Sequence, residues 1–186
     1  MTNRCPCACT FCLRNNGDEL NGSGNLWLDR EPSVEEVKRE FDRFPPESYQ
    51  DVVFCGYGEP TERLEDVLEV AQFVKETFDK KVRINTNGLA DLIHGKDVAP
   101  MFAGKIDEVS ISLNTPDPDK YLELTRSKFG RGSFEAMLRF AEHVKQYVPK
   151  VTMTTVATTI SKEQEEMCRK ICEDIGVTYR IRAFED

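Results

Sequence analysis

Five short runs, at residues 51–55, 81–86, 107–113, 150–157 and 177–182, read as strands, and each but the last is followed by a segment with helical periodicity. This alternation constrains the fold most. Strands joined through helices pair in parallel, with the helices packed outside the sheet, so the choice lies between a doubly wound sheet and a barrel. A doubly wound sheet is covered on both faces and its strands are apolar throughout. Here Val109, Ile111 and Leu113 alternate with Ser110, Ser112 and Asn114, while Val82 and Ile84 alternate with Arg83, Asn85 and Asn87. The last run sets Val177, Tyr179 and Ile181 against Thr178, Arg180 and Arg182. One face of the sheet is therefore polar. An α/β fold of the partial, open parallel β/α barrel type follows, with a concave polar face suited to a polar ligand.

Helix starts are marked by the capping boxes Ser33-x-x-Glu36 and Ser161-x-x-Gln164 and by Asp117 before Pro118. Apolar stripes such as Leu64, Val67, Leu68 and Ala71, or Met137, Leu138, Ala141 and Val144, are core-facing. At 186 residues the chain reads as one domain, 1–186. Its net charge of -8 argues against a non-specific grip on nucleic-acid backbone. Nothing approaches the ~20 consecutive apolar residues of a membrane span, and the N-terminus lacks the basic and apolar regions of a signal peptide, so a cytoplasmic protein is expected. Seven cysteines, an odd number, point in a reducing compartment to metal binding or catalysis.

Four of those thiols fall in Cys5-Pro6-Cys7-Ala8-Cys9-Thr10-Phe11-Cys12, where Cys5, Cys9 and Cys12 have the spacing C-x3-C-x2-C. Three thiolates on one short loop can converge on three irons of a cubane cluster, leaving the fourth iron open to a ligand. Cys7 as a fourth ligand would close the cluster, but Cys-x-Cys ligation of one cubane is strained, so Cys7 is expected to be a bystander. A zinc-binding or iron-sulfur interaction module is the non-catalytic alternative, and zinc would need four good ligands.

After the first strand comes Gly56-Tyr57-Gly58-Glu59-Pro60, whose glycines allow close backbone approach and whose proline biases Glu59 to an extended conformation, its carbonyl expected to face outward. Asn85-Thr86-Asn87-Gly88 and Ser112-Leu113-Asn114-Thr115 close the next two strands, at the end where parallel barrels carry their sites. Asparagine also serves plain turns there by accepting left-handed angles. Arg83, Arg180 and Arg182 would point into the concavity, where guanidinium groups need internal carboxylates or an anionic substrate. Cys168 and Cys172 share a helix face with apolar neighbours and read as core residues, and His94 and His143 read as surface residues.

The order of these motifs resembles the radical S-adenosylmethionine (SAM) superfamily, and Thr2 through Arg14 is most similar to its TatD-associated family. The resemblance implies a 4Fe-4S cluster on Cys5, Cys9 and Cys12 whose open iron chelates SAM. It implies that Gly56, Tyr57, Gly58 and Glu59 hold the methionine amino group, and that Asn87, Ser112 and Asn114 meet the ribose or the carboxylate. One electron from a flavodoxin- or ferredoxin-type reductant would cleave SAM to methionine and a 5'-deoxyadenosyl radical that abstracts hydrogen from a small-molecule substrate. A functional link to a TatD-type nuclease is implied as well; the competing second class, which the short length permits, is an activase that generates a glycyl radical on a partner protein. Such proteins carry a strand just before the cysteine loop. Here Met1 lies four residues before Cys5, so the first strand is expected to be missing or truncated.

Overall fold

The computed structural model describes residues 1–15, 17 and 24–183. Five strands form a single sheet: β1 (Asp51–Phe54), β2 (Lys81–Thr86), β3 (Glu108–Ser112), β4 (Lys150–Val156) and β5 (Thr178–Arg182). Their spatial order is β1-β2-β3-β4-β5 and every pairing is parallel. Because spatial order follows chain order, the connections never reverse direction. Right-handed crossovers then lay all the helices on one face and leave the other open. That topology is the partial barrel, and it excludes a doubly wound sheet.

The helices are α1 (Val34–Glu40), α2 (Leu64–Phe78), α3 (Ala90–His94), α4 (Pro118–Thr125), α5 (Ser133–Val144) and α6 (Lys162–Ile175). Both expected capping boxes are formed, and Asp117 accepts from the Lys120 amide at 2.8 Å with Pro118 in the first turn. The helix-facing sides of the strands supply Val82, Ile84, Val109, Ile111 and Met153, all 0 % exposed. Against them pack Val67 and Val74 of α2 and Met137, Phe140 and Val144 of α5, also 0 % exposed. Each such side chain contributes about 1.5–3 kcal/mol over its exposed state. No helix among the described residues is long and apolar enough to cross a membrane.

Register fixes what shares the concave face. Arg83 lies opposite Glu108 and Glu108 opposite Lys150. One pleat further, Asn85, Ser110, Thr152 and Thr178 stand side by side, and beyond them Ser112, Thr154 and Arg180. Arg182 aligns with Val156 at the far end. The polar periodicity is thus a continuous lining across four strands.

At the other border, β1 pairs with β2 alone, and no strand among the described residues covers its outer edge. An apolar groove of about 240 Å³ runs beside it, lined in part by Met1, Val37, Phe41, Val52 and Val70.

Candidate cofactor site at the carboxyl ends of the strands

The cysteine loop is held in place by a helix end. The last carbonyls of an α-helix have no partner within it. Here the Ala8 amide donates to the Thr125 carbonyl and the Thr10 amide to the Leu124 carbonyl, both at 2.9 Å, and Lys128 N–H returns a bond to the Pro6 carbonyl at 2.9 Å. The C-terminus of α4 is therefore capped by the loop itself. Arg14 adds a bond from its guanidinium to the Cys7 carbonyl at 3.0 Å.

Cys5, Cys9 and Cys12 are half-buried, whereas Cys7 is only 4 % exposed and belongs to the core. Hydrogen bonding to the Cys7 thiol brings Cys5 down to about 7 and holds Cys9 below the ordinary thiol range. Cys7 is pushed up by the same two contacts and by burial, so it remains a thiol. Burial raises Cys12. A donor set of thiols alone suits iron-sulfur chemistry.

Next to this loop lies the 56–60 turn, which the structure divides into parts with different tasks. Gly56 has φ +133°, with open space where a Cβ would stand. Gly58 is needed for a different reason: its Cβ would fall 2.0 Å from the Thr2 carbonyl oxygen, so the close approach there is to the chain's own N-terminal segment. Tyr57 is buried, donates to the Gly17 carbonyl at 2.8 Å and meets Trp27 edge-on at 5.1 Å. Glu59 is extended, as Pro60 demands, but its carbonyl does not face outward, since it accepts from the Glu62 amide at 3.0 Å. Its carboxylate, 4 % exposed, accepts from Thr61 N–H at 3.1 Å, Thr61 Oγ1 at 2.8 Å, Thr86 Oγ1 at 2.7 Å and Asn87 N–H at 2.8 Å. Burial pushes this carboxyl up, and the four donors oppose the shift. Glu59 thereby ties the end of β1 to the end of β2.

Asn87 is positioned by that tie. Its Oδ1 accepts from Leu89 N–H at 2.9 Å as a turn residue does, and its Nδ2 points to the sulfurs of Cys7 and Cys5 at 3.8 and 4.0 Å. Turn-forming and site-facing roles coexist in one side chain. Asn114 adopts a left-handed φ of 66°, and its buried Oδ1 has no partner. Ser112 lies half-buried on the same concave face. Arg83 makes no hydrogen bond or ion pair with a described residue, and its Nε is buried and unpartnered. Arg180 and Arg182 stand exposed at the β5 border.

The chain matches the Radical SAM superfamily over residues 1–175. It belongs to that superfamily. Its cofactors are accordingly a 4Fe-4S cluster and SAM. Among curated relatives it is similar to a probable GTP 3',8-cyclase of Methanocaldococcus jannaschii, 25 % identical over 99 % of this chain and 57 % of that protein. A GTP 3',8-cyclase of Corynebacterium glutamicum is 32 % identical over 68 % of this chain and 32 % of its own length. Molybdenum cofactor biosynthesis protein 1 of Drosophila melanogaster is 29 % identical over 69 % of this chain and 21 % of its own length. The chain thus spans less than two thirds of these relatives. Among solved structures, Streptococcus suis SuiB bound to its precursor peptide SuiA superposes with a TM-score of 0.73 at 20 % identity, covering 99 % of this chain and 38 % of that one. SuiB bound to SAM gives 0.66 at 19 % identity, covering 98 % of this chain and 37 % of that one. These likenesses extend the partial-barrel fold to the whole described chain.

Sequence reasoning missed several groups that this radical SAM fold brings to the site. Arg14 is signalled only as a base two residues after Cys12. Tyr121 of α4 is 1 % exposed with an unpartnered hydroxyl, and burial, with Cys7 and Cys9 adding, pushes its phenol well up. Cys168 and Cys172 are core residues, as expected, at 0 % and 1 % exposure, both raised to about 12 by burial. The two histidines are not simple surface residues. His94 is half-buried against the Thr61 carbonyl at 2.7 Å, and His143 lies 3.6 Å from Asp97, beside Asp91.

Proposed function

We propose that the chain is a radical SAM enzyme acting on a small, polar, anionic substrate held against the concave face beneath the cysteine loop. In this reading Cys5, Cys9 and Cys12 hold the cluster, and Cys7 remains a thiol packed behind it. When bound, the cluster and SAM supply, after one electron from an external reductant of flavodoxin or ferredoxin type, a carbon radical able to abstract hydrogen. The chain's own residues bind, orient and exclude water. Gly56, with no side chain and open space before it, lets the amino end of SAM approach the turn, flanked by Tyr57 and Gly58. Glu59 is a positioning residue, since its carboxylate is occupied within the chain. It keeps Asn87 aimed at the loop while Ser112 and Asn114 offer hydrogen bonds from the neighbouring strand end. Arg83, Arg180 and Arg182 favour an anionic substrate.

The observation that carries this reading is the approach of the Asn87 amide, held by Glu59, to the sulfurs of Cys5 and Cys7. It joins the cysteine loop, the 56–60 turn and the end of β2 in one site. Relatives named for a reaction on GTP support an anionic substrate. The wording of residues 2–14 supports the narrower TatD-associated assignment and, with it, a functional link to a TatD-type nuclease.

Anaerobic reconstitution with iron and sulfide, followed by electron paramagnetic resonance of the reduced protein, tests the proposal. Addition of SAM should change the signal, and 5'-deoxyadenosine should accumulate with dithionite. An unchanged signal with no 5'-deoxyadenosine sinks it.

A further inference from the structure

We infer that Arg83, Asn85 and Thr152 form a second recognition layer, deeper in the concavity than the strand-end residues, that binds an anionic oxygen group and a hydrogen-bond donor of one small molecule. Seven buried side-chain atoms among the described residues have no hydrogen-bond partner. Four of them, Arg83 Nε, Asn85 Oδ1, Thr152 Oγ1 and Asn114 Oδ1, lie on the concave face of three adjacent strands or at its rim. Buried polar groups are ordinarily paired, so such a concentration on one face marks a place where a partner is supplied from outside.

Register makes the layer continuous. Asn85, Ser110 and Thr152 are aligned neighbours on β2, β3 and β4, so Asn85 and Thr152 face the concavity about 10 Å apart. Arg83 sits one pleat repeat below Asn85, about 7 Å along the strand, and about 13 Å below the Asn87 level. The layer therefore lies clear of the cysteine loop. Packing does not explain it. The same strands carry Ile84, Val109 and Met153, all 0 % exposed, on the opposite face, and asparagine is disfavoured within a strand. Nor does an internal ion pair satisfy Arg83. Its aligned neighbour Glu108 is engaged by Lys150 at 3.0 Å instead.

The chemistry of the unpaired atoms defines the ligand. Arg83 Nε–H donates and carries charge, so it calls for a carboxylate or phosphate oxygen. Asn85 Oδ1 only accepts and calls for an N–H or O–H. The Thr152 hydroxyl serves either way. An amino acid carries this combination with a carboxylate, and a nucleotide carries it with phosphate. The assignment rests on the proposed radical SAM reaction for its meaning as a substrate site, but its test is a binding measurement.

The reconstituted full chain with SAM present is titrated by calorimetry and thermal shift. GTP and inorganic pyrophosphate form one arm, and the standard amino acids, each tested singly, form the other. Binding in one arm identifies the source of the anion. Arg83→Met, Asn85→Leu and Thr152→Val should each weaken that binding by about tenfold or more, while Thr152→Ser should bind like the parent. Asn85→Leu and Thr152→Val should leave the ligand-free Tm unchanged or raise it, because each removes an unpaired buried polar atom. The inference is overturned if no probe in either arm binds, if the three variants bind unchanged, or if the two apolar variants lower the ligand-free Tm. Failure of the proposed reaction would show separately, as absence of 5'-deoxyadenosine from the parent protein.

Discussion

Glu59 and Gly58, adjacent in sequence, support the site by different means, and each can be perturbed alone. Glu59→Gln keeps the volume but sets an amide NH2 against N–H and O–H donors on one side or the other. The expected cost is about 1–3 kcal/mol in denaturant unfolding, with a weakened SAM-induced change in the resonance signal as Asn87 loses its anchor. Gly58→Ala drives a Cβ to 2.0 Å from the Thr2 carbonyl oxygen. Backbone, not a flexible tip, must then move, so the N-terminal segment shifts and iron retained after reconstitution should fall. Among the thiols, Cys5→Ala, Cys9→Ala and Cys12→Ala should each abolish the cluster absorbance, whereas Cys7→Ala should retain it, since Cys7 is packed in the core. Loss of the cluster in Cys7→Ala alone would reverse the ligand assignment.

The element that governs the cysteine loop is α4, because the loop amides satisfy its last carbonyls. Ala8→Pro deletes one of these donors, and should reduce cluster retention while leaving far-ultraviolet circular dichroism nearly unchanged. At α6 the cap is local to the helix. Ser161→Ala removes a capping box at the start of that helix and should cost about 1 kcal/mol of stability without altering iron content. The caps at Ser33, Asp117 and Ser161 were legible in the sequence because a cap is a local interaction over three residues. The α4 clamp was not, because residues 8 and 10 meet residues 125 and 124 only after the sheet has been laid down. Arg14 and Tyr121 were hidden for the same reason.

At the scale of the molecule, the loop adds only Cys7 to a core that lies mostly between strands and helices, while Cys5, Cys9 and Cys12 stay half-buried at its edge. Stripping iron from the reconstituted protein with a chelator should therefore lower Tm, as loss of any ligand bound only by the folded state does, and keep the helix and strand content. A chain that unfolded on chelation would show that the cluster organises the core. The sequence by itself determined the parallel α/β class, the position of all five strands to within a residue at each end, the polar concave face and the cysteine spacing. Periodicity, capping and motif spacing are properties of neighbours along the chain, so they survive in one dimension. Only the tertiary structure decided which polar groups are already satisfied and which are not. It closed the Glu59 carboxylate within the protein, gave Gly58 a packing task, and left Arg83, Asn85 and Thr152 unpaired on one face. Satisfaction of a buried polar atom depends on what lies within about 3 Å of it in space, and for these residues those neighbours are set by register between strands and by loops returning from distant positions.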